Sequence, residues 1–155
     1  MSAPDGSSTP DKDTLIADAA ALDAFNRNVV EEFRANGGKV GGPFEGSTLL
    51  LLHTTGAKSG TSRLSPLAYL MIDDKMVIVG SYAGAPKHPA WVHNLRAHPR
   101  AYIEIGTDAY EVVVRELPGD EREMVYRRIV QMAPVFGEYQ ANTDRAIPLF
   151  ELTRA

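Results

Sequence analysis

Apolar residues first recur at helical spacing at Leu22, Phe25, Val29 and Phe33, with Asn26, Arg27, Glu31, Glu32 and Arg34 on the other faces. That pattern predicts an amphipathic helix over about 19–36. Gly37-Gly38 ends it, since glycine takes the left-handed cap conformation cheaply. The polar face mixes acids and bases instead of being Lys-rich, so packing on the domain is the expectation, with peripheral membrane contact through Leu22–Phe33 left open. Residues 1–14, rich in Ser, Pro, Asp and Gly without apolar periodicity, read as a flexible tail ahead of a single domain over 15–155.

Beyond Gly41-Gly42-Pro43-Phe44-Glu45-Gly46 the pattern changes to short aliphatic runs. Thr48–Thr54 is the right length for a buried strand and too short for a stable helix. Thr55–Gly60 turns the chain into Leu64–Ile72, with Pro66 near the strand start, and Asp73-Asp74-Lys75 turns it again into Met76–Ser81. These three strands form an antiparallel meander. A loop, Tyr82–His88, leads to Pro89 as the first residue of a helix holding Trp91, Val92 and Leu95. Tyr102–Ile105 and Tyr110–Leu117 pair as a hairpin across Gly106-Thr107-Asp108. Asp120 and Glu123 suggest a capping box opening a helix to about Met132, with Met124, Ile129 and Met132 facing inward. Phe136, Tyr139 and Asn142 fall on a following loop, and Ala146–Leu152 closes the chain as a strand. About six antiparallel strands with two or three helices favour a mainly β small barrel over a βαβ fold.

The 155 residues contain no cysteine, which excludes disulfides, thiolate-ligated zinc, iron–sulfur clusters and a Cys nucleophile. No signal-like start and no apolar run near the ~20 residues of a membrane span is visible, so a cytoplasmic protein is expected, its inner-membrane face included as an option. Residues 57–100 carry six bases (Lys58, Arg63, Lys75, Lys87, Arg96, Arg100) and two acids, net +4, whereas the rest carries ten bases and eighteen acids, net −8. A basic centre in an acidic chain points to a local anionic ligand and away from nucleic acid.

His88, His93 and His98 recur every five residues, a rotation of roughly 140° per step on a helix, so no metal site is expected from them. Gly56-Ala57-Lys58-Ser59-Gly60 lacks the frame and following helix of a Walker loop, and Gly80-Ser81-Tyr82-Ala83-Gly84 has its Ser one place early for a nucleophile elbow. The Lys58–Arg63 turn is nevertheless a workable anion nest, or else a solvated hairpin. Lys87-His88-Pro89-Ala90-Trp91 sits at a helix N-terminus, where free N–H groups attract anions; Trp91 as a core anchor and His88 as a cap is the alternative.

Taken together, Leu49–Leu52 with Thr54-Thr55-Gly56, Lys58-Ser59-Gly60 and Arg63, Ser65-Pro66-Leu67, Gly84–Pro89, Trp91, Asn94-Leu95, Pro99, Tyr139-Gln140 and Thr143-Asp144-Arg145 resemble the deazaflavin-dependent nitroreductase family, reductases that use coenzyme F420. The likeness spans about Thr48 to Pro148 and rests on the order and spacing of the pieces. It implies a split β-barrel like that of FMN-binding flavin reductases, with the deazaflavin in a groove. By that resemblance Lys58 and Arg63, helped by the Ser59–Gly60 turn, hold the anionic phosphate–glutamate tail. Pro66, Ser81, Lys87, Trp91 and Asn94 line the coenzyme pocket.

The implied reaction is hydride transfer from reduced F420 to a planar electron-poor acceptor, a quinone first and a nitroaromatic second. The order follows because only Tyr139 keeps a hydroxyl where the family's nitro-reducing members are tyrosine-rich. Tyr139 or water is the expected proton donor, and Ser81 a hydrogen-bonding partner of the coenzyme ring. An FMN-dependent reductase on the same barrel and a non-catalytic coenzyme carrier are the alternatives. Either a monomer or a homodimer is compatible with the sequence.

Overall fold

A computed structural model describes residues 19–41 and 48–155; the expected tail at 1–14 and most of the Gly/Pro segment at 41–46 lie outside them. Six strands, β1 (Leu49–Thr55), β2 (Ser62–Ile72), β3 (Lys75–Val79), β4 (Arg100–Ile105), β5 (Asp108–Glu116) and β6 (Leu149–Arg154), form a closed antiparallel barrel in the order β1-β2-β3-β6-β5-β4. Helices α1 (Ala19–Ala35), α2 (Ala90–Ala97), α3 (Gly119–Met132) and α4 (Val135–Ala141) pack on or into it. None of the described helices is long and apolar enough to cross a membrane.

The four consecutive leucines of β1 are all buried because both faces of the strand are covered. Successive side chains point to opposite faces. Leu50 and Leu52 join Ile78, Trp91, Val92, Leu95, Ile103 and Phe150 inside the barrel, while Leu49 and Leu51 meet Val29, Val30 and Phe33 of α1 outside it. The apolar face of α1 is therefore engaged with the barrel. Arg34 adds a two-pronged contact to Glu104 on β4 (3.1 and 2.6 Å), and His53 Nε2 lies 2.7 Å from the same carboxylate. These neighbours hold the Glu104 carboxyl below its ordinary range, Arg34 first.

The turns follow from their residues. Asp73 and Asp74 both take positive φ (51° and 65°), the mirror-image turn whose twist suits a two-residue hairpin, and Asp73 accepts from Arg128. Gly106, at φ 57°, opens the two-residue turn between β4 and β5. Pro66 sits well inside β2, opposite Leu51. Strand β3 pairs with β2 only along Tyr69–Ile72, so around Pro66 one edge of β2 has no strand partner and a missing N–H breaks no ladder there.

Several expectations are corrected at α3 and after it. Pro118, not Asp120, is the N-cap, and no side-chain cap bond forms. Met124 and Met132 are 57% and 58% exposed; the inward face is Arg122, Tyr126 and Ile129. A buried arginine on that face hid its phase from an apolar count. The stretch carrying Phe136 and Tyr139 is helical (α4), and the last strand begins at Leu149, after Pro148, which has no N–H to donate.

Candidate functional site

The β1–β2 turn is locked internally. Gly56 N donates to Thr61 O (2.7 Å), Gly60 N to Gly56 O (3.0 Å), and the Ser59 and Thr61 hydroxyls lie 2.7 Å apart. A Cβ on Gly56 would stand 2.5 Å from Ser59 Oγ, so any larger residue here would displace that hydroxyl from its contact with Thr61. The Ser59 hydroxyl thus serves the turn itself. Gly60, at φ 71°, has no atom within 4 Å of where a Cβ would be, leaving its backbone open to a ligand.

From beneath, α2 fixes the turn. Asn94, 7% exposed, accepts from Ala57 N (2.9 Å) and donates through Nδ2 to Thr54 Oγ1 (3.1 Å). Asn94 was expected to line a pocket; the structure shows it bridging α2 to the base of the basic turn. Asn94→Leu is expected to cost about 2 kcal/mol, because it orphans a buried hydroxyl and an N–H while keeping side-chain bulk. A urea denaturation curve checks this, and an unchanged midpoint would show that the turn needs no such bridge. Trp91 is 6% exposed with its ring edge-on to Phe150 at 5.7 Å, a core anchor.

Lys58 and Arg63 stand exposed on the turn and on the start of β2, and Lys87 just ahead of α2. None has a counter-charge among the described residues, in contrast to Arg34, Arg96, Arg115 and Arg128. Arg63 and Pro66 share the part of β2 that lacks a second strand neighbour.

Segment 80–88 crosses between β3 and α2. Gly80 is pinched: a Cβ would come within 2.8 Å of Pro148 and 2.9 Å of Val92. Ser81 is buried, and its hydroxyl has no hydrogen-bond partner among the described residues, whereas its carbonyl accepts from Arg145 (2.8 Å). Such a buried hydroxyl is uncommon unless something else satisfies it. Gly84 (φ 79°) packs its backbone against Tyr139, whose Cα would lie 3.3 Å from a Cβ there. Tyr139 itself is half-buried on α4, edge-on to Phe136 at 5.7 Å. Beside it a cleft of about 410 Å³ is lined by Pro86, Ala141, Asn142, Thr143, Asp144 and Arg145.

His88 is not a helix cap; Pro89 is, and α2 begins at Ala90. Because His88 precedes the helix, the helical rotation does not apply to it, and its ring comes to 5.7 Å from that of His93. Its Nδ1 lies 2.9 Å from Arg145 Nη1. Sequence reasoning assigned no role to Arg145, Gln140 or Arg122. Arg122 Nη2 donates to Gln140 Oε1 (2.6 Å), and Gln140 Nε2 donates to Arg145 O (2.8 Å). Gln140 and Arg145 entered only as pieces of the resemblance, and Arg122, a charged residue in a polar stretch, reads as solvated.

Fold and surface chemistry together define a small closed β-barrel whose β1–β2 hairpin carries two exposed cations without counter-charges among the described residues. Among known proteins, an F420H(2)-dependent quinone reductase of Mycobacterium tuberculosis is 36% identical over 128 residues, covering 79% of this chain and 85% of that protein. A solved F420-H2 dependent reductase is 39% identical with a TM-score of 0.60, covering 68% of this chain and 94% of the other. A second solved structure, described as a domain-swapped dimer, is 36% identical with a TM-score of 0.63, covering 82% and 96%. Residues 25–154 match the F420H(2)-dependent quinone reductase family, and the chain belongs to it. It is therefore an enzyme, an oxidoreductase whose coenzyme is F420 and not FMN, which displaces the flavin and carrier alternatives.

Proposed function

We propose that the enzyme passes a hydride from reduced F420 to a quinone-type acceptor, with the coenzyme's anionic tail held on the Lys58–Arg63 hairpin. The observation that carries this is the hairpin itself, a rigid turn bridged to α2 through Asn94 and bearing two cations without counter-charges among the described residues. A long anionic tail fits there because guanidinium and ammonium donors make their strongest hydrogen bonds to phosphate and carboxylate oxygens. Open backbone at Gly60 and the exposed Lys87 ammonium extend the same surface. The buried Ser81 hydroxyl supplies a donor or acceptor for the polar edge of a ring system, and Pro66 a flat apolar contact. Trp91 and Asn94 act beneath the surface, keeping α2 and the turn in place.

When bound, reduced F420 supplies the two electrons as hydride; completing reduction of a quinone to a hydroquinone also takes a proton. We assign that proton to Tyr139, which α4 holds against the backbone of Gly84. With menadione as acceptor, Tyr139→Phe is expected to lower kcat about 100-fold, within the range typical of general acids, while coenzyme affinity stays put. An unchanged kcat at saturating menadione would assign the proton to water.

A further inference from the structure

Resting on the coenzyme-binding reading above, we propose that Arg145 is a positioning residue for the reaction: its guanidinium clasps segment 80–88 and holds His88 as an Nε2–H donor, so that Ser81, Lys87 and His88 face the coenzyme in one fixed arrangement. Arg145 donates from Nε to Ala85 O (2.9 Å), from Nη1 to Gly80 O (3.1 Å) and from Nη2 to Ser81 O (2.8 Å). Nη1 also lies 2.9 Å from His88 Nδ1. It has no carboxylate partner among the described residues, so its planar fork serves backbone carbonyls and one imidazole.

Those bonds fall on both sides of Tyr82, a non-glycine residue held at φ 48°. Such a conformation persists only where surrounding structure over-determines it. Gln140 braces the clasp from behind through Arg145 O and is itself anchored by Arg122.

A guanidinium only donates and does not lose its proton, so the facing Nδ1 must be an acceptor. Neutral His88 therefore carries its proton on Nε2. Burial and then the Arg145 charge, with Arg96 and His93 on α2, hold His88 below the ordinary 6.5, against a smaller opposing pull from Glu116 on β5. The sign is that of a group kept neutral by the fold: its contribution is present above 6.5 and is lost as the pH falls and the ring protonates against Arg145.

The test uses the full chain and two readouts. Long-range proton–nitrogen NMR of histidine-labelled protein, recorded where the ring is neutral, reads the tautomer without coenzyme or variant; the Nε2–H form of His88 is expected, and the Nδ1–H form would overturn the proposal. Arg145→Lys keeps the charge but not the fork. It is expected to raise the KM for reduced F420 about tenfold with less than about a twofold change in the KM for menadione. Wild-type coenzyme kinetics in Arg145→Lys would also overturn it. If the wild-type chain binds no F420, the reading of the function fails, while the tautomer still decides the clasp; if the lysine variant does not fold, the wild-type tautomer decides alone.

Discussion

Arg122→Met is expected to lower the melting temperature by about 6–12 °C, the shift that about 3 kcal/mol produces in a domain of this size. Methionine is apolar and replaces the aliphatic stem of the arginine, so the packing of that stem is kept. What disappears is the pair of donors to Ile147 O (3.0 and 2.9 Å), a 2.6 Å bond to Gln140 Oε1 and the guanidinium over the Tyr126 ring at 4.4 Å. Arg122 is only 9% exposed and Ile147 fully buried, so the abandoned carbonyl has no water to turn to. An orphaned buried acceptor costs about 1–3 kcal/mol, and bonds to a charged donor are worth about 1.5–3. The pair with Glu123 adds little, since that carboxylate is mostly in solvent. Differential scanning calorimetry provides the check; a shift under about 2 °C would mean that the loop before β6 stands without this strut.

The double variant Lys58→Ala/Arg63→Ala is expected to weaken F420 binding about 100-fold and leave the melting temperature nearly unchanged. Each exposed cation contributes on the order of 1.4 kcal/mol to an anionic tail, one factor of ten apiece. Stability is spared because neither side chain has a counter-charge among the described residues to be orphaned. Coenzyme fluorescence titration at two ionic strengths measures the loss. The wild-type affinity should fall with salt and the double variant's far less, since screening acts on exposed charges. A loss below about threefold would move the tail to another surface.

The strands were legible because aliphatic runs separated by Gly, Asp and Thr announce buried β-structure locally, and the barrel follows from six of them in a short chain. The amphipathic face of α1 was equally plain. The face of α3 was not, because Arg122 occupies a position where an apolar residue was looked for. Within the site, the cationic hairpin showed as an uneven charge distribution. The polar struts did not: Asn94 reaches partners about forty positions away and Arg145 about sixty, distances that only the closed barrel makes short. Asn94 was expected in the pocket by resemblance; what the structure shows of it is the bridge to Ala57 N and Thr54 Oγ1.

Calorimetric titration of the intact chain with F420 bears most directly on the whole account. A saturable isotherm with one coenzyme per chain, abolished or much weakened when the tail-less deazaflavin replaces F420, is the predicted result. Absence of heat and of saturation with intact F420, or equal affinity for the tail-less ring, would contradict it.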